Sequence, residues 1–136
     1  MIESPEKLRT VGKAIAKAAA AGFPTLCRVD PIIPGLNDAE ADLSRLIESL
    51  AAVGVRQIVA STLKLQPRSA KRFRERFPEA AAAASSLYDQ SHKVSGYYYL
   101  QEPVRRELME RVRSLALQQG MGFSCCREGM AELNTM

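Results

Sequence analysis

Residues 24–65 read PTLCRVDPIIPGLNDAEADLSRLIESLAAVGVRQIVASTLKL, and this stretch decides the fold class. Pro24 to Asp30 is too short for a helix and ends in Cys27-Arg28-Val29-Asp30, which reads as a strand. Pro31-Ile32-Ile33-Pro34-Gly35-Leu36 follows as a tight, stiff loop. Asn37, with Glu40 three residues on, has the form of a capping box. Leu43, Leu46, Ile47, Leu50 and Ala51 then make one apolar stripe that stops at Gly54. Val55 to Leu65 opens with β-branched and apolar residues, which predicts a second strand over 57–62. Two strands joined through a helix run parallel, because the helix supplies the crossover that parallel strands need.

The same alternation extends outward. Ser4-Pro5-Glu6 supplies a cap, a proline for the first turn and an early acid. Leu8, Val11, Ile15, Ala18 and Ala19 then recur at helical spacing up to Gly22, predicting a helix over 5–21. After Pro67 comes a basic helical piece to Phe77, a break at Pro78, and an alanine-rich helix from Glu79 to Gln90. Gly96-Tyr97-Tyr98-Tyr99-Leu100 reads as irregular or as a short strand. Pro103 opens a helix with Val104, Leu108, Val112 and Leu115 inward, and Gly122 to Cys126 is a last strand. The expectation is one α/β domain over 1–136, with parallel strands and crossover helices. A complete (β/α)8 barrel takes about 250 residues, so in a chain of 136 any barrel is a partial (β/α) barrel.

Composition narrows the class. The 46% hydrophobic and 25% charged residues exclude a disordered or fibrous chain. No run approaches the roughly 18 to 20 apolar residues of a membrane span, and the N-terminus lacks the basic start and apolar core of a secretory signal. Three cysteines, two of them adjacent at Cys125 and Cys126, do not form the framework of a small secreted domain. The expected compartment is therefore reducing and cytoplasmic, with no membrane partner.

The charge is concentrated. Lys64, Arg68, Lys71, Arg72, Arg74 and Arg76 stand against the single acid Glu75, so residues 64–76 hold more positive charge than the whole chain's +4. This is one basic stretch on a near-neutral body, read either as a phosphate or nucleic-acid contact or as a solvated helix face. Phe73 and Phe77, four apart, belong on that helix's inner face.

Strand periodicity places Arg28 and Asp30 on one face of the first strand and Cys27 and Val29 on the other. Ligands collect at the C-terminal ends of strands in α/β folds. Arg28, Asp30, Ser61, Thr62 and Lys64 are therefore candidate cofactor or substrate contacts, with a mutual ion pair or turn-making as the structural alternatives. Cys126, Arg127 and Glu128 at the last strand's end invite the same reading. His92 is the lone histidine and is expected in a loop. The glycines are scattered, with no phosphate-cradling loop. Tyr97, Tyr98 and Tyr99 are expected to pack rather than to bind.

Three segments carry a resemblance: Arg28-Val-Asp-Pro-Ile-Ile-Pro-Gly-Leu-Asn-Asp38, Ile58-Val-Ala-Ser-Thr-Leu-Lys-Leu65, and Cys126-Arg-Glu-Gly129 with Leu133-Asn-Thr135. Ser4-Pro-Glu-Lys7 and Ala21-Gly-Phe-Pro24 also fit the helix that precedes the Arg-x-Asp-Pro strand. The chain resembles the C-terminal half of radical S-adenosylmethionine proteins of the spore photoproduct lyase-like branch, often labelled DNA repair photolyase. That resemblance implies a full or partial barrel in which a [4Fe-4S] cluster reduces S-adenosylmethionine to a carbon radical. The family's Cys-x-x-x-Cys-x-x-Cys loop has no counterpart in this sequence, and vicinal thiols seldom share one metal. The expected cofactor complement of this chain alone is therefore none, and it is expected to be inactive without an N-terminal half. The family also tends to continue past Leu-Asn-Thr, which suggests a shortened end. Two further readings stand beside this one: a free-standing binding or assembly module, and a small nucleic-acid-binding protein acting through residues 64–76. A homo-oligomer or a missing N-terminal half is the expected partner, because the sheet would otherwise have open edges and an uncovered inner face.

Overall fold

The computed structural model describes residues 5–135. In chain order the elements are α1 (Pro5–Ala20), β1 (Leu26–Ile32), α2 (Glu40–Ala52), β2 (Gln57–Thr62), α3 (Pro67–Arg76), α4 (Pro78–Ala84), β3 (Tyr88–Val94), β4 (Tyr97–Leu100), α5 (Glu102–Gln118) and β5 (Gly122–Cys125). Strands β1, β2 and β5 form a parallel sheet with β2 in the centre, and β3 and β4 form a separate antiparallel hairpin. The α/β class with crossover helices is as expected. The parallel sheet has three strands and does not close on itself.

Register and alternation divide that sheet into two unlike faces. Cys27, Ile58 and Phe123 stand in one row and Val29, Ala60 and Cys125 in the next, all on the same side. Ile58, Ala60 and Phe123 are fully buried there, beneath Leu43, Ile47 and Leu50 of α2 and Leu108, Met109, Val112 and Leu115 of α5. Each of the larger side chains among these, Ala60 apart, contributes roughly 1.5–3 kcal/mol by leaving water. On the other side Leu26 is 57% exposed, Arg28 is exposed, and Gln57, Val59 and Ser124 are only half-buried. The helices of the core thus cover one face only.

One edge of the sheet is closed by the chain itself. Thr135 accepts from the Phe123 N–H at 2.7 Å and donates its own N–H to the Phe123 carbonyl at 2.8 Å, while Asn134 accepts from the Cys125 N–H at 2.9 Å. The outer edge of β5 is therefore bonded, contrary to the expectation of two open edges. No strand pairs with the outer edge of β1 among the described residues.

Several local expectations are corrected. Asn37 does not cap α2, whose N-cap is Ala39. Its side chain turns back instead, accepting from the Ile33 N–H at 2.6 Å and donating to the Pro31 carbonyl at 3.0 Å, so it staples the proline loop. β1 runs on through Pro31 to Ile32, with a shift of register after Val29. The alanine-rich helix ends at Ala84 rather than Gln90, because Tyr88–Val94 pairs with β4. Ser95 (φ 51°) and Gly96 (φ 83°) form the two-residue turn that such a hairpin needs. His92 thus sits on an exposed strand rather than in a loop. Ser4, expected as the cap of α1, lies outside the described residues, as does the side chain of Leu8. The rest of the α1 stripe is only partly covered: Ile15 packs against the core and Val11 is 55% exposed. Ala19 approaches Gly54 so closely that a Cβ there would lie 2.6 Å away, and Gly54 has φ +97°, so that position requires glycine.

Candidate functional site

The chain leaves β2 as Ser61-Thr62-Leu63-Lys64 and leaves β5 as Cys126-Arg127-Glu128-Gly129. Positive φ at Arg127 (60°) and Gly129 (71°) turns the second segment sharply and lays Glu128 over the end of β2. Its side chain is fully buried. Oε1 accepts from the Thr62 N–H at 2.7 Å, the Thr62 hydroxyl at 2.9 Å, the Ser61 hydroxyl at 3.3 Å, and the Lys64 ammonium. Lys64, only 6% exposed, also donates to the Ser61 hydroxyl at 2.8 Å and to the Thr62 carbonyl at 2.9 Å. From the first turn of α5, Arg105 brings a second cation to 3.5 Å from Oε2. The same guanidinium donates to the backbone carbonyls of Leu100, at 2.8 Å, and of Glu128.

One buried carboxylate therefore faces one buried and one partly buried cation, and Oε2 has no hydrogen-bond donor among the described residues. Tyr99 stacks with both, its ring 5.1 Å from the Lys64 ammonium and 5.6 Å from the Arg105 guanidinium. Arg127 remains on the surface, 5.2 Å from the Tyr97 ring. Tyr88 donates its hydroxyl to the Leu63 carbonyl at 2.8 Å. Burial, and then the nearby Glu128 charge, push that phenol well above the ordinary tyrosine value.

Of the residues singled out from sequence, Ser61, Thr62, Lys64 and Glu128 meet in this one cluster. Arg28 and Asp30 do not join it. They pair with each other at 2.8 Å on the helix-free face, with side chains 53% and 31% exposed. Asp30 first, and Cys126 beside it, hold Arg28 in its charged form. Arg105 and Tyr88 escaped sequence reasoning, while Tyr99 packs, as expected, but against the two cations. Arg105 could have been found, since it stands at i, i+3, i+4 and i+7 spacing with the buried Leu108, Met109 and Val112, and a cation on a buried stripe needs a partner.

The basic stretch is not one patch. Lys64 is consumed by Glu128. Arg74 shares a face of α3 with Pro67, Ala70 and Phe73, and Arg68, Lys71, Arg72 and Arg76 are exposed around the rest of the helix. Phe73 is buried, with its ring 6.4 Å from that of Phe77, as the spacing implied.

The residues present do not fit an iron-sulfur cluster. Cys27 and Cys125 share the covered face but lie on the two outer strands in different rows, and Cys126 follows on the opposite side. Burial raises both the Cys27 and Cys125 thiols, which disfavours the thiolate that an iron ligand must be. Among the described residues no three histidine, cysteine or acidic side chains gather in a way that could hold a metal ion, and no helix is long and apolar enough to cross a membrane.

Comparison of the chain with models of known protein families, with curated proteins and with solved structures finds no match.

The raised Tyr88 value has a definite sign. An acid that keeps its proton longer in the fold than in the unfolded chain contributes stability below the unfolded value, about 10 for tyrosine, and that stability is lost as pH rises through the folded value. Thermal melts followed by circular dichroism between about pH 8 and pH 11 should therefore show the wild type losing more than Tyr88→Phe. Parallel losses in the two proteins would contradict this.

Proposed function

We propose that this chain is the C-terminal wall of a radical S-adenosylmethionine barrel resembling the spore photoproduct lyase-like branch, supplying substrate-side groups to a cluster-bearing N-terminal half. The observation that carries the reading is the one-sided parallel sheet: helices on one face, and on the other a helix-free surface bearing Arg28, Asp30, Gln57, Val59 and Ser124. A barrel wall has this asymmetry, with side chains of the inner face turned toward the strands across the barrel. The asymmetry of the edges supports it too. β5 is bonded by Asn134 and Thr135, while the outer edge of β1, which no strand pairs with among the described residues, is where a preceding strand would pair.

A second support is that two of the segments carrying the resemblance meet physically. Ile58–Leu65 and Cys126–Gly129 are joined through Lys64 and Glu128, and Leu133-Asn-Thr135 bonds the strand between them. In this reading the cluster and S-adenosylmethionine belong to the N-terminal half, and Arg28 and Asp30 form the polar rim on this side. Without that half, a second copy of the chain covers the same face.

The test is genetic and biochemical together. The adjoining upstream DNA should encode a Cys-x-x-x-Cys-x-x-Cys loop. Co-expression with that segment should convert a homodimer into a heterocomplex that keeps iron and sulfide after desalting. An upstream region without the loop, or two halves that fail to associate, overturns the proposal.

A second reading, nucleic-acid contact, is favoured by α3, where Arg68, Lys71, Arg72 and Arg76 are exposed and, among the described residues, only Lys71 of these four has an acidic partner, Glu75 at 3.8 Å. Three to four phosphate contacts would make log affinity for duplex DNA fall with log salt at a slope of about −3. A flat salt response, or a slope unchanged in Arg68→Gln/Arg72→Gln, removes this reading.

A further inference from the structure

The hairpin does not pack flush against the corner between α3 and α4. A cavity of about 300 Å3 remains between them, at the lower end of the volumes that take small ligands. Ala70 and Phe73 of α3, Ala81 of α4, and Tyr88 and Tyr98 of the hairpin form its walls. Three of these belong to the buried core: Phe73, Ala81 and Tyr88 are 8%, 7% and 3% exposed. The Tyr88 hydroxyl is committed to the Leu63 carbonyl, and the Tyr98 backbone is tied to Leu65 in both directions, at 2.7 and 2.9 Å, so the aromatic walls are held from behind.

One charge lines this cavity. Arg74 is exposed and has no ion-pair partner among the described residues, whereas Lys71 of the same helix already faces Glu75. Gln90 adds an uncharged polar group. An apolar, aromatic-walled space with a single free guanidinium complements a molecule of matching build: a flat apolar body with one acidic group. Arg holds a carboxylate through two parallel N–H donors, and aromatic rings favour a flat partner in offset or edge contact. The other cations of α3, Arg68, Lys71, Arg72 and Arg76, are not among the residues that line it.

We propose that the cavity between α3, α4 and the β3–β4 hairpin is a binding site for a small aromatic carboxylate, with Arg74 as its anion anchor. The site is independent of the barrel-wall reading, because none of its residues lies on the open sheet face.

Two probes that differ mainly in the acid test this by calorimetric titration of the full chain: 2-naphthoate and the neutral 2-naphthylmethanol. Naphthoate should bind saturably at one to one and more tightly than the alcohol. Arg74→Gln should weaken naphthoate about tenfold, as expected for loss of a charge-assisted bidentate contact, and leave the alcohol unchanged. Arg76→Gln should alter neither. Ala70→Leu, checked for folding by its melting curve, should weaken both by filling the space. Absence of saturable binding, equal naphthoate affinity in wild type and Arg74→Gln, or a loss in Arg76→Gln as large as in Arg74→Gln would overturn the assignment.

Discussion

A single buried carboxylate organises the C-terminal edge of the sheet. Glu128 bonds to the end of β2 through Ser61 and Thr62, takes the charge of Lys64, and faces Arg105 at the start of α5. Removing an ion from water costs several kcal/mol, which is recovered only where geometry and additional hydrogen bonds are good. Here they are good on Oε1, with two hydroxyls and a backbone N–H converging. Around Oε2 they are sparse, with Arg105 alone nearby. Three segments far apart in sequence are thereby locked in one register, and Tyr99 covers both cations from the hairpin side.

That lock shapes what the rest of the molecule can do. With the ends of β2 and β5 fixed, Arg28 and Asp30 are left at the third strand as a water-facing pair, next to Cys126. The chain therefore carries two polar centres of different character at the same sheet edge. One is buried, with Glu128 Oε1 engaged by Ser61, Thr62 and Lys64, and so serves the fold. The other is open and free to meet something from outside. The hairpin, anchored through Tyr88 and Tyr98, stands off from α3 and leaves the aromatic cavity beside the buried centre, with the Tyr88 ring lining one and its hydroxyl reaching toward the other.

Much of the architecture was legible in residues 24–65, because apolar spacing and glycine stops bound α2 and β2 tightly. The strand alternation that set Arg28 and Asp30 apart from Cys27 and Val29 also matches the burial. Misreadings arose where a local signal competed with a distant partner. Alanines 80–84 favour helix, but the residues beyond them pair across to β4, and that pairing ends the helix early. Asn37 and Glu40 have the spacing of a cap, yet the proline loop offers Asn37 a free N–H and a carbonyl at closer range. Ser61, Thr62, Lys64 and Glu128 were each recognisable as polar groups at strand ends. Their convergence was not, since it depends on the turn at Arg127 and on an arginine whose own helix conceals it among apolar neighbours.

The central claim, that Glu128 is the organising contact, is tested most directly by equilibrium urea unfolding of Glu128→Gln alone and together with Lys64→Met. Glutamine keeps the shape but leaves the buried Lys64 and the partly buried Arg105 without a counter-charge. The account predicts a loss of about 3–5 kcal/mol for Glu128→Gln, with a clear part recovered when Lys64 is also neutralised. A loss under about 1 kcal/mol for the single variant, or strictly additive losses in the pair, would contradict it.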